Sequence, residues 1–188
     1  MSFAQRRRFL WILFLVGLAL LAVAANATTL ARMRFDELAK QATAVARLRC
    51  LGAESFLERG EIWTETQFEV VERSKGLLPG LITVRTLGGS MGSLHSRIEG
   101  VPAFRPGDEA YLFLWGREGE PYRVLGWAQG TFRIARDPRT GMETVTQDSA
   151  AAPLFDPRTR KFRPGGIRNL PLAIFQLKLR KALEEKTL

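Results

Sequence analysis

Residues 81–114 read LITVRTLGGSMGSLHSRIEGVPAFRPGDEAYLFL and carry the strongest structural signals in the chain. The opening LITVRTL is rich in β-branched residues, and its positions fall into two alternating sets, 81, 83, 85 and 87 against 82, 84 and 86, which predicts a half-buried strand. Glycines at positions 88, 89, 92 and 100 then allow backbone conformations with positive φ. The Arg-Pro-Gly run at 105–107 predicts a turn, and an almost wholly apolar second strand follows at 111–115. The pattern indicates a β protein with a long, glycine-rich connection.

Further strands are predicted on both sides of this stretch. Upstream, residues 44–51 and 62–72 have strand character, and the second segment alternates with a period of two. A polar connection is expected at 53–60, and a short helix at 33–43. Downstream, strands are expected at 122–125, 131–135 and 142–146. Short strands joined by turns favour an antiparallel barrel or a sandwich.

The amino-terminal segment has the composition of an export signal. Arg6, Arg7 and Arg8 precede residues 9–25, which contain no charged side chain, and Ala25-Asn26-Ala27 has the small-x-small pattern of a cleavage site. We therefore predict that residues 1–27 are a signal peptide removed after Ala27. An uncleaved anchor is the alternative, because 17 apolar residues lie at the lower limit of a bilayer span. The protein is expected in the periplasm or outside the cell, or membrane-anchored if the leader stays.

The net charge of the chain comes from its two ends. Residues 28–153 contain 16 Lys and Arg and 16 Asp and Glu, whereas residues 154–188 contain nine and three.

We predict one β domain at 28–149, an irregular Pro/Gly-rich strap at 150–168 and a basic amphipathic helix at 169–188, with Asn169 as its N-cap. The helix combines an apolar face with Lys178, Arg180 and Lys181. Two roles are open for it: contact with an anionic membrane surface, or packing that closes one end of a barrel.

Several of these segments together resemble a group of uncharacterised exported bacterial proteins. The matching segments are residues 44–51, 68–72 with 75–76, 88–89, 104–109 with 111–114, and 128–132. The run FRPGDEAYLF at 104–113 also resembles the netrin-like modules, which include the tissue inhibitors of metalloproteinases. The resemblance implies an OB-like antiparallel β-barrel, here with a short amino-terminal helix and a carboxy-terminal amphipathic helix. Those inhibitors use a disulfide framework and an amino-terminal cysteine, whereas the expected mature chain begins at Thr28 and contains Cys50 alone.

Residues for catalysis are scarce in the chain. His95 is its single histidine, so histidine-based metal sites are excluded within one copy. A hydrolase would have to combine His95 with Ser90, Ser93 or Ser96 and an acid such as Asp108, without a nucleophile-elbow motif. A lone Cys50 cannot form an intrachain disulfide; it is expected to be buried, with an intermolecular disulfide as the alternative. We predict a protein that is not an enzyme and has no cofactor or metal.

Aromatic and basic residues raise the question of nucleic-acid binding, since OB barrels bind single strands through such groups. The candidate stacking residues are Trp63, Trp115, Tyr122 and Trp127, with Arg85, Arg117 and Arg123 nearby in sequence. However, an exported domain with no net charge is a poor match for nucleic acid. We therefore predict no nucleic-acid partner, and expect these aromatic residues to pack against the protein itself.

The remaining prediction is a binding function. We expect a non-enzymatic, protein-binding module of the bacterial cell envelope, similar to a protease inhibitor, with an unidentified envelope or secreted protein as its partner. The predicted binding residues belong to the glycine-rich connection and are Gly88, Gly89, Met91, His95 and Arg97. The alternatives are a membrane-associated structural protein, held by the basic helix or the uncleaved leader, and a hydrolase that uses His95.

Overall fold

The computed structural model describes residues 31–184, which are mainly β with two helices. The predicted signal peptide therefore lies outside the described residues. Helix α1 covers Phe35–Gln41 and helix α2 covers Leu172–Glu184. The strands are β1 Ala44–Glu58, β2 Glu61–Lys75, β3 Leu81–Leu87, β4 Gly89–Met91, β5 Leu94–Ser96, β6 Glu109–Trp115, β7 Arg123–Val124, β8 Thr131–Arg136, β9 Glu143–Gln147, β10 Pro153–Asp156, β11 Lys161–Pro164 and β12 Leu170–Pro171. A bilayer-spanning helix, judged by length and apolar character, is absent from residues 31–184.

One main sheet organises the described chain. Its strands follow the order β12-β9-β8-β6-β1-β2-β3, and β7 pairs with β6 beside β8. All these pairings are antiparallel. Two separate hairpins, β4–β5 and β10–β11, stand outside the sheet. The predicted antiparallel, strand-rich architecture with a helix near each end is confirmed.

Strand β3, at one edge of the sheet, comes close to the start of β7 at Tyr122. Val84 of β3 forms a parallel bridge with Tyr122, with hydrogen bonds from Arg85 N to Tyr122 O (2.8 Å) and from Tyr122 N to Thr83 O (2.8 Å). Residue 123 then begins β7, which pairs with β6. This contact is one bridge and not a strand ladder, so the sheet as described is open.

The polar connection predicted at residues 53–60 is wrong, because β1 continues to Glu58. Arg59 (φ 53°) and Gly60 (φ 85°) alone make the turn into β2, and two residues of positive φ are typical of a tight hairpin turn. Cross-strand pairs Ser55–Thr64 and Phe56–Trp63 extend the ladder to this turn. The hydrophilic residues of 53–60 thus belong to an exposed hairpin end, where polarity does not distinguish a strand from a loop.

Two hydrophobic clusters lie on the two faces of the sheet, and β6 contributes to both. Leu112 and Leu114 belong to the first cluster, with residues of β1, β2 and β3. Tyr111 and Phe113 belong to the second, which includes residues of α1 and α2. Successive side chains of a strand point to opposite faces, so a strand covered on both sides is apolar throughout. This explains the almost uninterrupted apolar run of β6.

The carboxy-terminal region differs from its predicted form in two details. Residues 150–168 contain the β10–β11 hairpin, so the strap has regular structure at its centre. Asn169 (φ 46°) is not the N-cap of α2, which begins at Leu172; its side-chain oxygen instead accepts a hydrogen bond from Thr146 Oγ1. Phe175, Leu179 and Ala182 of α2 are buried in the second cluster. The helix thus covers the face of the sheet opposite the first cluster.

Candidate functional site

The predicted binding loop contains a hydrogen-bonded hairpin that directly follows the end of β3. Gly88 (φ 90°) donates its N–H to Ile62 O (2.7 Å) and accepts a hydrogen bond from Thr64 Oγ1 (2.6 Å) at its carbonyl. Residues 89–91 and 94–96 then pair as β4 and β5. Gly88 therefore fixes the direction in which the hairpin leaves the sheet.

Gly89 is required because the hairpin passes close to β1 and β2. Its φ of 140° is accessible to glycine, and a Cβ atom would collide with Ser55 Oγ and Thr64 Oγ1. These two hydroxyls are 2.8 Å apart, and Ser90 N donates to Ser55 Oγ at 3.2 Å. Small hydroxyl residues on β1 and β2 thus clamp the base of the hairpin. Gly88 and Gly89 therefore hold the hairpin in place, because the backbone of Gly88 is hydrogen-bonded to Ile62 and Thr64 and Gly89 pairs with Ser96.

The other predicted binding residues lie further along the same hairpin. Met91 is half-buried and pairs with Leu94 across the turn. His95 is exposed, and its Nδ1 lies 2.9 Å from Ser90 Oγ on the facing strand. Arg97, just after β5, is also exposed. The structure thus brings the five predicted residues onto or next to one hairpin, but none of them lines either of the two clefts described below.

An apolar cleft lies beneath this hairpin, at the end of the β1–β2 ribbon. It has a volume of about 300 Å³ and is lined by Leu57, Gly60, Glu61, Ile62, Leu87, Leu94, Ser96 and Ile98. Leu57 and Leu94 are each about half exposed, at 53% and 52%. None of the five predicted binding residues lines the cleft. The sequence could indicate one wall of the cleft, because Leu94, Ser96 and Ile98 are alternate positions of an extended segment. It could not indicate that Leu57 and Ile62 form the opposite wall, because only the fold brings them there.

Only two of the three residue types that a hydrolase would need lie together in the structure. His95 and Ser90 are hydrogen-bonded, but Asp108 is engaged elsewhere: its Oδ2 accepts from Arg105 N (2.9 Å) and from Arg133 Nη1 (3.2 Å). Within the described part of the chain, no group of three His, Cys, Asp or Glu residues could hold a metal ion. The absence of an enzyme activity stays a prediction.

A second, polar cleft of about 330 Å³ lies along β6, β8 and β9, and includes Glu109 and Glu143. Arg47 binds both carboxylates, with Nη2 2.6 Å from Glu109 Oε2 and 2.9 Å from Glu143 Oε1. Arg49 binds the other oxygen of Glu109. Burial favours the neutral form of Glu109, but hydrogen bonds from the two arginines outweigh it and hold the pKa below its ordinary value. The charges in this cleft largely satisfy one another.

The aromatic residues are mostly committed to contacts within the protein. Arg85 and Arg123 both lie over the Trp63 ring, at 5.6 and 5.3 Å from its centroid. Tyr122 is buried, whereas Trp115 is 57% exposed. The described surface therefore does not present these rings as a row of open stacking platforms.

The three basic residues predicted on the carboxy-terminal helix, Lys178, Arg180 and Lys181, are exposed on α2. Lys178 Nζ lies 5.3 Å from the centroid of the Phe35 ring, on α1. The opposite face of α2 is buried against the sheet. The apolar residues that suggested an amphipathic membrane helix are thus used in part for internal packing.

Comparisons with known proteins identify no relative. No protein-family model, no curated protein and no solved structure matches the chain.

Proposed function

We propose that this chain is an exported protein-binding module built on an OB-like barrel. Support for the barrel comes from the Val84–Tyr122 bridge, which links β3 to the residue before β7, while β7 pairs with β6 and β6 pairs with β1. The resulting order β1-β2-β3-β7-β6 returns to β1. OB folds are five-stranded, partly open barrels, a description that this arrangement fits.

The observation that carries the binding proposal is the apolar cleft beneath the β4–β5 hairpin. Apolar clefts with a few polar groups at the margin are typical binding sites. Here Leu57, Ile62, Leu87, Leu94 and Ile98 supply the apolar surface, and Glu61 and Ser96 supply polar groups. The half-exposed leucines Leu57 and Leu94 lie on different elements. A partner that covers both would bury apolar area that water now contacts.

The cleft volume restricts the form of the partner. A space of about 300 Å³ lies at the lower end of the range for small-molecule pockets. It suits one large apolar side chain presented by an extended loop, whose burial contributes roughly 1.5–3 kcal/mol. The rest of the affinity would come from contacts with the hairpin, including His95 and Arg97. The clamped hairpin base lowers the entropic cost of binding, because the loop is ordered beforehand.

Affinity capture tests the proposal directly. The chain from Thr28 to Leu188 is used as bait in envelope extract, beside variants Leu57→Ser and Leu94→Ser. The matched control is Leu81→Ser, because Leu81 is 64% exposed at the opposite end of β3. We expect a protein that is retained by the wild type and the control but lost from both cleft variants. A partner captured equally by all four proteins would contradict the cleft as the binding site.

The resemblance to netrin-like inhibitors adds a more specific proposal about the partner. We propose that it is a secreted or envelope protease, in which case the captured partner should lose peptide hydrolysis on addition of the wild-type protein. The Leu94→Ser variant should require at least about tenfold more protein for the same inhibition, consistent with losing much of one buried apolar contact. A partner with undiminished activity would remove the inhibitor proposal and leave the binding proposal standing.

A further inference from the structure

The β10–β11 hairpin holds a dense cluster of positive charge and a single carboxylate, that of Asp156. Its four basic residues, Arg158, Arg160, Lys161 and Arg163, are all exposed. Among residues 31–184, none of the four forms an ion pair with a carboxylate. The carboxylate of Asp156 serves the turn instead, accepting hydrogen bonds from Arg158 N (2.9 Å) and Thr159 N (3.4 Å). The cations of the hairpin therefore face solvent.

An exposed aromatic side chain accompanies these charges. Phe162 is 59% exposed and packs on one side against Phe155, its cross-strand partner, with ring centroids 5.4 Å apart. Leu154, on the alternate face of β10, is buried and holds the hairpin to the rest of the protein. Phe162 stands between Lys161 and Arg163 on β11, so the ring extends from one face of the strand and these two cations from the other. An exposed ring on a ribbon whose long basic side chains reach past its edges is the composition of an element that lies at a lipid–water interface.

The start of the described chain is tied to the same hairpin. Ala31 bridges Phe155, and Arg32 N donates a 2.8 Å hydrogen bond to Phe155 O. Ala31, the first described residue, therefore lies beside this hairpin. Arg32 is exposed and adds a further cation.

We propose that the β10–β11 hairpin docks on the surface of an anionic phospholipid membrane, with Phe162 inserted among the headgroups. Each Lys or Arg held near such a surface strengthens binding about fivefold, and the attraction is screened by salt. The hairpin offers four cations and an aromatic ring on one short ribbon. This function is independent of the apolar cleft, which lies on β1, β2, β3 and the β4–β5 hairpin.

The test is sedimentation of the chain from Thr28 to Leu188 with vesicles of phosphatidylglycerol and phosphatidylcholine. Vesicles of phosphatidylcholine alone serve as the reference. The hairpin variant combines Arg160→Ser, Lys161→Ser and Arg163→Ser. The control combines Lys178→Ser, Arg180→Ser and Lys181→Ser, which removes the same charge from α2. A third variant carries Phe162→Ser. Circular dichroism and the thermal midpoint verify that each variant is folded.

We expect the wild type to bind the anionic vesicles more tightly than the neutral ones, and less tightly as salt rises. The hairpin variant should lose about 100-fold in affinity, from three cations at about fivefold each. The helix control should lose clearly less, and Phe162→Ser should weaken binding without changing the salt dependence. Loss of binding in the helix control alone would overturn the proposal, as would equal binding to both kinds of vesicle. Tight binding to a soluble anionic polysaccharide that is insensitive to Phe162→Ser would also overturn it.

Discussion

The hydroxyl of Tyr111 donates a 2.7 Å hydrogen bond to Oε2 of Glu72. The two residues belong to β6 and β2, which are separated in the sheet by β1. Gln176 of α2 donates to both partners, at 3.1 Å to the carboxylate and 3.0 Å to the hydroxyl. Burial of the phenol, followed by the neighbouring carboxylate, raises the pKa of Tyr111. This polar group joins two strands and a helix at the edge of the second hydrophobic cluster.

Replacing Tyr111 with phenylalanine should lower the free energy of unfolding by roughly 1.5–3 kcal/mol, since a hydrogen bond to a carboxylate is lost. Urea denaturation followed by circular dichroism measures this change. Tyr122→Phe is the control, because Tyr122 is also buried but its hydroxyl has no hydrogen-bond partner within residues 31–184. We expect that control to remain within about 0.5 kcal/mol of the wild type. Equal destabilisation of both variants would show that Glu72 is not the source of the effect.

Glu109 should make the stability of the protein depend on acid pH. Its pKa in the folded protein lies below the ordinary value of 4.5, so its contribution is present above that pH and is lost as pH falls through the folded pKa. We expect Glu109→Gln to cost roughly 1–2 kcal/mol at neutral pH and to reduce the loss of stability in acid. Urea titrations over a pH series test both statements.

Glu69→Gln is the matched control for this experiment. Glu69 pairs with Arg49 but is 46% exposed, compared with 18% for Glu109. Solvent screens such a pair, so the control should change stability by less than about 1 kcal/mol. If Glu109→Gln retained the full acid sensitivity of the wild type, a different carboxyl group would be responsible.

Gly89→Ala should damage the base of the β4–β5 hairpin. The new methyl group meets Ser55 and Thr64, and the φ of 140° is unfavourable for alanine, so we expect a loss of about 3 kcal/mol in unfolding free energy. Gly92→Ala is the comparison: its φ is 59° and a Cβ has open space, so about 1 kcal/mol is expected. Thermal denaturation measures both. The opposite ranking would contradict the close packing of the hairpin base.

Cys50 should be chemically inert in the folded protein. Its side chain is buried, and burial, with a smaller effect from the charge of Asp108, raises the pKa of the thiol. Native protein should react with a maleimide far more slowly than urea-unfolded protein, and should migrate as a monomer without reductant. Ser93→Cys supplies an exposed thiol as the positive control. A disulfide-linked dimer of the wild type would instead support the alternative of intermolecular pairing.

The local patterns of the sequence predicted much of the described fold. The strand at Leu81–Leu87 has the predicted bounds, and the helix expected at 33–43 contains α1. Prediction failed where polar residues form the end of a strand, as between Ala53 and Glu58. It was also incomplete for the binding site, since Leu57 and Ile62 come together with Leu94 only through strand pairing and the folding back of the hairpin. Such distant contacts leave no periodic signal within either segment.

The sequence by itself determined features that depend on neighbouring residues only. These are the alternation of side chains along a strand, the φ preferences at glycine, and the charge of the carboxy-terminal region. These features determined the β architecture and the location of the glycine-rich connection. Tertiary packing determined the rest. It assigned the two faces of β6 to different clusters, directed α2 onto the sheet and left the four cations of the β10–β11 hairpin exposed. The reason is that burial and pairing depend on neighbours distant in sequence, whose positions are set only when the whole sheet forms.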